Sequence, residues 1–325
     1  MTRQLKESKI EGRNLLLYDN TGEILGGLTI RTISPYVTQT MLYRYSAQIL
    51  EFPGPPSPQW AIFHLNMDGS TATKLRRNGH SLVRPGAYIV LQSNSNPINV
   101  TATAELSIRR LYSSEPSSRE VSADRNAHQR HFRDSVRERD DKCVITGDGL
   151  GNTTPVPYAG SDAAHIYPVS RVAEWRQQNL QQHITDTSPA TAITQTGLYS
   201  AQNGLLLRSD IHHLWDNFLI AIDPDADYKV ICFHGEDTVE KKRRLGGNRI
   251  KGATHNSPNP NDRISPRLLR WHLKMCLLKM MKGNSQIKDW EHDLEPDTIE
   301  GILSEPDGAE RMEVELFTRL GPYLA

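Results

Sequence analysis

Cysteine is scarce: Cys143, Cys232 and Cys276 are the only three in 325 residues, odd in number and far apart. They can build neither a disulfide framework nor a Cys-x-x-Cys zinc clamp, so each is expected to be a small buried apolar residue. Long apolar runs are missing too. Nothing approaches the roughly 18 consecutive apolar residues that span a bilayer, and no membrane partner is expected. The opening stretch MTRQLKESKIEGRN is charged and holds no apolar segment of signal-peptide type, which leads to an expectation of an intracellular protein, in cytoplasm or nucleus. Net charge is absent as well, since 38 Lys and Arg offset 38 Asp and Glu. That balance hides an asymmetry: residues 289–325 hold eleven acids against Arg311 and Arg319, a net of −9, so residues 1–288 carry +9. A positive body attracts polyanions, although an excess this diffuse also occurs on proteins that bind none.

Residues 1–112 read as a β-rich domain of unknown role. NLLLYD, GGLTIRTI, MLYRYSAQILEF, WAIFHLNM, GAYIVLQ and LSIRRLY are short, rich in β-branched and aromatic residues, and separated by turn formers. The spacing predicts a small sandwich or barrel. It contains no catalytic constellation and no internal repeat. Residues 113–124, SSEPSSREVSAD, are polar and read as a linker. RNAHQRHFRDSVRERDDK predicts a charged helix ending near Cys143. AAHIYPVS is a short strand stopped by Pro168, and SRVAEWRQQNL predicts a helix starting at Ser170. TDTSPATAITQTG reads as a polar loop. LIAID and YKVICF are two strands that pair through PDAD. Residues 236–264 form a basic loop, in which Lys241, Lys242, Arg243, Arg244, Arg249 and Lys251 either track a phosphate backbone or form a solvated surface. Residues 265–325 are a helical segment with an acidic tail: Ser265 caps and Pro266 starts a helix that Gly283 stops, and ERMEVELFTRL predicts a closing helix.

NGLLLRSDIHHLWD, residues 203–216, gathers an Asn, two His and two Asp within a short span. In a helix capped by Ser209 and running to about Asn217, Ile211, Leu214, Trp215 and Phe218 fall on one buried stripe. His212 and Asp216 then lie one turn apart at its edge, while His213 and Asn217 point away. Such a pair either holds a divalent metal or is merely internally hydrogen-bonded.

The order AAHIYP, then NGLLL, then DIHHLWD resembles the HNH family of endonucleases, whose ββα-metal finger presents a His, an Asn and a His in that order. A fungal branch of that family, with CxxTG, AHIxP and NGLLLxxDxHxLxD motifs, is particularly similar. The likeness spans roughly residues 125–235. With the strand pattern of residues 1–112 it gives an expected α+β chain: an N-terminal all-β domain, an HNH ββα-metal finger domain, then C-terminal helices. It implies His165 as general base, since a free imidazole titrates at about 6.5 and can take a proton from attacking water. Asn203 would brace the segment bearing His165, and His212 with Asp216 would hold the metal. Many relatives carry another metal ligand directly before the base, where this chain has Ala164. Two protein ligands suit Mg2+ or Mn2+ better than a closed Zn2+ site, and Asp162 is available as an additional carboxylate if the strand bends. Cys143 stands where some relatives begin a zinc knuckle, but has no partner cysteines. The implied function is metal-dependent hydrolysis of phosphodiester bonds in nucleic acid, with DNA the expected substrate. The alternatives are a catalytically degenerate HNH-fold module that binds nucleic acid or protein, and a finger that serves only as a structural nucleus.

Overall fold

A computed structural model describes residues 5–8, 12–53, 59–66, 68–108, 123–148, 158, 160–233, 245–251 and 254–283. Most of the expected linker, Lys241 to Arg244, the acidic tail and the ERMEVELFTRL helix lie outside them. The fold is mixed α+β. Its first part runs β1 (Leu15–Tyr18), β2 (Ile24–Leu28), α1 (Gln39–Ile49), β3 (Leu50–Glu51), β4 (Trp60–Leu65), β5 (Thr71–Lys74), β6 (Gly86–Gln92) and β7 (Thr101–Ala102). Then follow α2 (Ala123–Asp140), β8 (Ser161–His165), α3 (Val172–Gln177), α4 (Ala190–Ile193), β9 (Gly204–Arg208) and α5 (Ser209–Asp216). The chain continues with β10 (Ile220–Asp223), β11 (Lys229–Cys232) and a last described helix, Pro266–Met280, here α6.

The N-terminal part is not all-β. MLYRYSAQI, expected as a strand, is helix α1, capped by Thr38, whose hydroxyl accepts from the Met41 amide at 3.3 Å. Its buried residues Met41, Leu42, Tyr45, Ser46 and Ile49 recur at helical spacing. That period outweighs the β preference of the tyrosines. Nor do the described residues form a sandwich or barrel. Five strands form one open sheet in the order β2-β1-β6-β4-β5, with β1 and β6 parallel. LSIRRLY supplies no strand over its described residues 106–108. SRVAEWRQQNL begins as a 3-10 turn at Val169 before α3, so Ser170 is not a cap, and the polar loop after it contains the single turn α4.

One core gathers Leu15, Leu17, Ile62, Tyr88 and Val90 of the sheet with Leu42, Tyr45 and Ile49 of α1. The same core includes Phe218, Ala221, Ile231 and Phe233 from beyond α5, and Leu273, Cys276 and Leu277 of α6. A second core gathers Phe132, Val136, Cys143, Trp175, Leu205, Leu207, Ile211 and Trp215, with Leu268 and Leu269 at the other end of α6. Helix α6 therefore contributes to both. Its C-terminal end is tied to the sheet: Arg13 donates to the Met280 and Gly283 carbonyls, and the Gly27 amide donates to Met281 at 2.8 Å. Gly26 is required for that approach, since a Cβ there would sit 2.6 Å from the Met281 oxygen.

A buried charge pair ends α2. Arg139 and Asp140 are at most 1% exposed and meet at 2.6 Å. Arg139 also donates to the carbonyls of Ala201, Gly204 and Asp262, while Asp140 accepts from the Leu206 amide and the Thr254 hydroxyl. The pair thus fastens α2, β9 and the segment before α6 in one knot. Its charges are fully hydrogen-bonded, the condition under which a buried ion pair is tolerated.

Candidate functional site

Strands β8 and β9 are antiparallel, with Ser161 opposite Arg208 and His165 opposite Gly204, and α5 follows β9 without a gap. Helix α5 forms for the reason its sequence suggests. Ile211, Leu214, Trp215 and Phe218 are all buried, and each fully buried side chain of this kind contributes about 1.5–3 kcal/mol. The first helical residue is Ser209, and the cap position falls to Arg208. The helix ends in a paired closure, Phe218 amide to Trp215 oxygen and Leu219 amide to Leu214 oxygen, with Phe218 left-handed at φ 56°. A non-glycine residue there carries strain of about 1–2 kcal/mol, offset by burying its ring in the first core.

His212 lies at the edge of the buried stripe between two carboxylates. Its Nδ1 is 3.2 Å from Asp162 of β8 and its Nε2 is 3.1 Å from Asp216 one turn on. Alternate residues of a strand share a face, so Asp162 and Ala164 both point toward α5. No bend of the strand is needed: Asp162 offers its carboxylate on the face where Ala164 has none. The hydrogen bond with His212 holds the Asp162 carboxyl below the ordinary carboxylate range. Desolvation opposes this, and the Ser209 hydroxyl and the Arg137 charge add to it. His213 is exposed and close to Asn217.

His165 belongs to the opposite face of the hairpin. Its ring stacks on Phe132 of α2 at 3.8 Å and 8°, and meets the edge of Tyr199 at 5.6 Å. Gly204 opposite it must be a glycine, because a Cβ would lie 2.6 Å from the Phe132 ring and from Val136. Asp162 and His165 are three positions apart, about 10 Å along a strand of ordinary rise. Asn203 is fully buried and clasps the chain just past His165. Its Oδ1 accepts from the Tyr167 amide at 2.8 Å, and its Nδ2 donates to the carbonyls of Tyr167 at 3.1 Å and Leu198 at 3.0 Å. Its own carbonyl accepts from the Ile166 amide at 2.9 Å.

The structure therefore brings His212, Asp216 and Asp162 together, sets His165 on the other face, and holds the turn after His165 through Asn203. Of the basic-loop residues, Arg249 pairs with Asp227, and Lys251 lays its stem over Gly147 with its amide bonded to Val144. Asp162 was only partly legible from sequence, its signal being the two-residue step to Ala164. Phe132 and Arg137 of α2 and Tyr199 before β9 carried none, since each is far in sequence from the residue it meets. Among the described residues no group of three or more His, Cys, Asp or Glu converges as a metal-holding set. The carboxylates flank opposite edges of the His212 ring. In kind, one imidazole and two carboxylates still form a donor set suited to a hard divalent cation.

β8, β9 and α5 thus form a ββα unit whose helix carries a histidine between two carboxylates. Residues 143–223 match the family model described as HNH endonuclease. That span covers β8 through β10 and includes His165, Asn203, His212 and Asp216. No curated protein and no solved structure matches the chain. An HNH segment suggests a nuclease or nucleic-acid-binding function, and HNH nucleases generally use a divalent metal. Among the described residues no helix is long and apolar enough to cross a membrane.

Proposed function

We propose that the β8–β9–α5 unit is the centre of a metal-dependent endonuclease that hydrolyses phosphodiester bonds, most naturally those of DNA. The observation that carries this reading is His212 set between Asp162 and Asp216 on the α5 face of a hairpin ending in His165, within the matched segment. His212 and Asp216 would hold the cation, Mg2+ or Mn2+ in preference to Zn2+, while Asp162 at the other edge of the ring would orient His212 through its Nδ1. When bound, it supplies positive charge to neutralise phosphate oxygens. His165 takes the proton of the attacking water, its ring fixed in tilt by the Phe132 face. Asn203 positions His165 by locking the backbone at Ile166 and Tyr167.

A second reading, a finger that binds nucleic acid without cutting it, is favoured by the separation of His165 from the His212 cluster onto opposite faces and by the carboxylates already engaging both His212 nitrogens. Incubating supercoiled plasmid with the protein and Mg2+ or Mn2+, beside His212→Ala, separates the two. The nuclease reading expects nicking that needs the metal and disappears in the variant. Retardation of the plasmid with no nicking in any metal supports the binding reading instead.

A further inference from the structure

Helix α2 carries an arginine that the reading above leaves unused. Arg137 places its guanidinium carbon 4.7 Å from the centre of the Tyr158 ring. Tyr158 leads into β8, its carbonyl accepting from the Ser161 amide at 3.0 Å. The guanidinium therefore lies at the start of β8, next to Asp162. Its Nε is buried and has no hydrogen-bond partner, and among the described residues no carboxylate forms an ion pair with Arg137. Its neighbours on α2 differ: Arg139 is locked in the buried pair with Asp140, and Arg133 pairs with Asp134 at the surface. Tyr158 takes a left-handed backbone at φ 63°, unusual for a residue with a large side chain, so the ring under the guanidinium is held in place at a cost.

A planar cation stacked on an aromatic ring, desolvated on one side and forming no ion pair among the described residues, is an arrangement in which arginine binds phosphate, because its fork matches two phosphate oxygens. We infer that Arg137 contacts a backbone phosphate of the bound strand, beside the Asp162–His212–Asp216 cluster. This rests on the reading of the hairpin as a phosphodiester site and adds a substrate-contacting residue to it. Arg137 and Asp162 lie within electrostatic reach of each other. A phosphate beside Asp162 would meet the Arg137 cation, whereas Asp162 alone would repel it.

The test is equilibrium binding of a short fluorescein-labelled DNA duplex in EDTA, read by anisotropy over a range of salt. Arg137→Gln removes the charge and keeps most of the stem over Tyr158; Arg137→Ala is the second variant, and Arg133→Ala the control. Both Arg137 variants are expected to bind roughly ten- to hundredfold more weakly. The slope of log affinity against log salt should fall by about one, while Arg133→Ala changes neither. Unchanged affinity and slope in Arg137→Gln overturn the inference, as does equal loss in Arg133→Ala or the absence of salt-dependent binding by the wild-type protein. Binding in EDTA needs neither metal nor His165. A protein that binds through Arg137 but never cuts therefore upholds this inference while ending the nuclease reading, and an active nuclease indifferent to Arg137 does the reverse.

Discussion

Asp162 ties the hairpin to α5, and its titration has a definite sign. Its carboxyl is held below the ordinary range in the folded protein, chiefly by the bond with His212. A depressed folded value means stabilisation that is full above the unfolded value, near 3.9, and lost as pH falls through the folded one. Asp162→Asn should flatten the acid limb of a stability-against-pH profile measured with urea; a profile identical to wild type over that limb would show that the His212 bond contributes nothing to folding. Asn203 offers a sharper residue-scale test. Asn203→Asp keeps the shape, but its carboxylate cannot donate to the Tyr167 and Leu198 carbonyls that now accept from Nδ2. A loss of at least about 2 kcal/mol in urea denaturation is expected. Sequence identified this asparagine only through its resemblance to a motif. What made it structural, a buried three-way clasp, depends on Leu198 and Tyr167 meeting across a loop whose path no local pattern specifies.

The elements divide by the kind of signal that shaped them. Helix α5 was legible from its apolar stripe, although its cap position is Arg208 and not Ser209, and α6 from Pro266 at its first position, although the Ser265 side chain makes no cap bond and the helix ends at Met280, before Gly283. The β10–β11 hairpin was legible from two apolar runs around PDAD, and pairs Ile220 with Cys232. Helix α1 was not. Tyr43 and Tyr45 favour a strand locally, and only the burial of Met41, Leu42, Tyr45 and Ile49 on one stripe makes the helix win. The parallel pairing of β1 with β6 had no local signature either, since their partnership spans about seventy residues. Nor did the Arg139–Asp140 knot at the end of α2, which looks like two more charges in a charged helix. Asp140→Ala leaves Arg139 buried without its counter-charge and is expected to cost about 3–5 kcal/mol. Replacing both residues with apolar ones of similar volume should recover part of that loss, and a double variant as unstable as the single one would argue against an uncompensated charge as the cause.

Across the whole molecule, the sheet and the finger are joined by α6 and by Asp223. This aspartate at the end of β10 is fully buried; Arg44 grips it with two bonds at 3.0 and 2.6 Å, and the Tyr45 hydroxyl donates to it at 2.8 Å. Burial and the Asp223 charge push the Tyr45 phenol well above its usual range, so it remains a donor. Because one helix serves both cores, unfolding monitored by near-UV signals and by far-UV helicity should coincide, and Asp223→Ala should lower that single midpoint, by about 2–4 kcal/mol in stability. Two separated transitions would mean that the sheet and the finger fold independently. His165 and the His212 cluster, though on opposite faces of β8, are proposed to serve one phosphodiester. The most direct test is the plasmid nicking rate of His165→Ala at saturating Mn2+, with its melting temperature matched to wild type. A rate at least about a hundredfold below wild type is predicted; equal nicking by the two proteins would contradict the account.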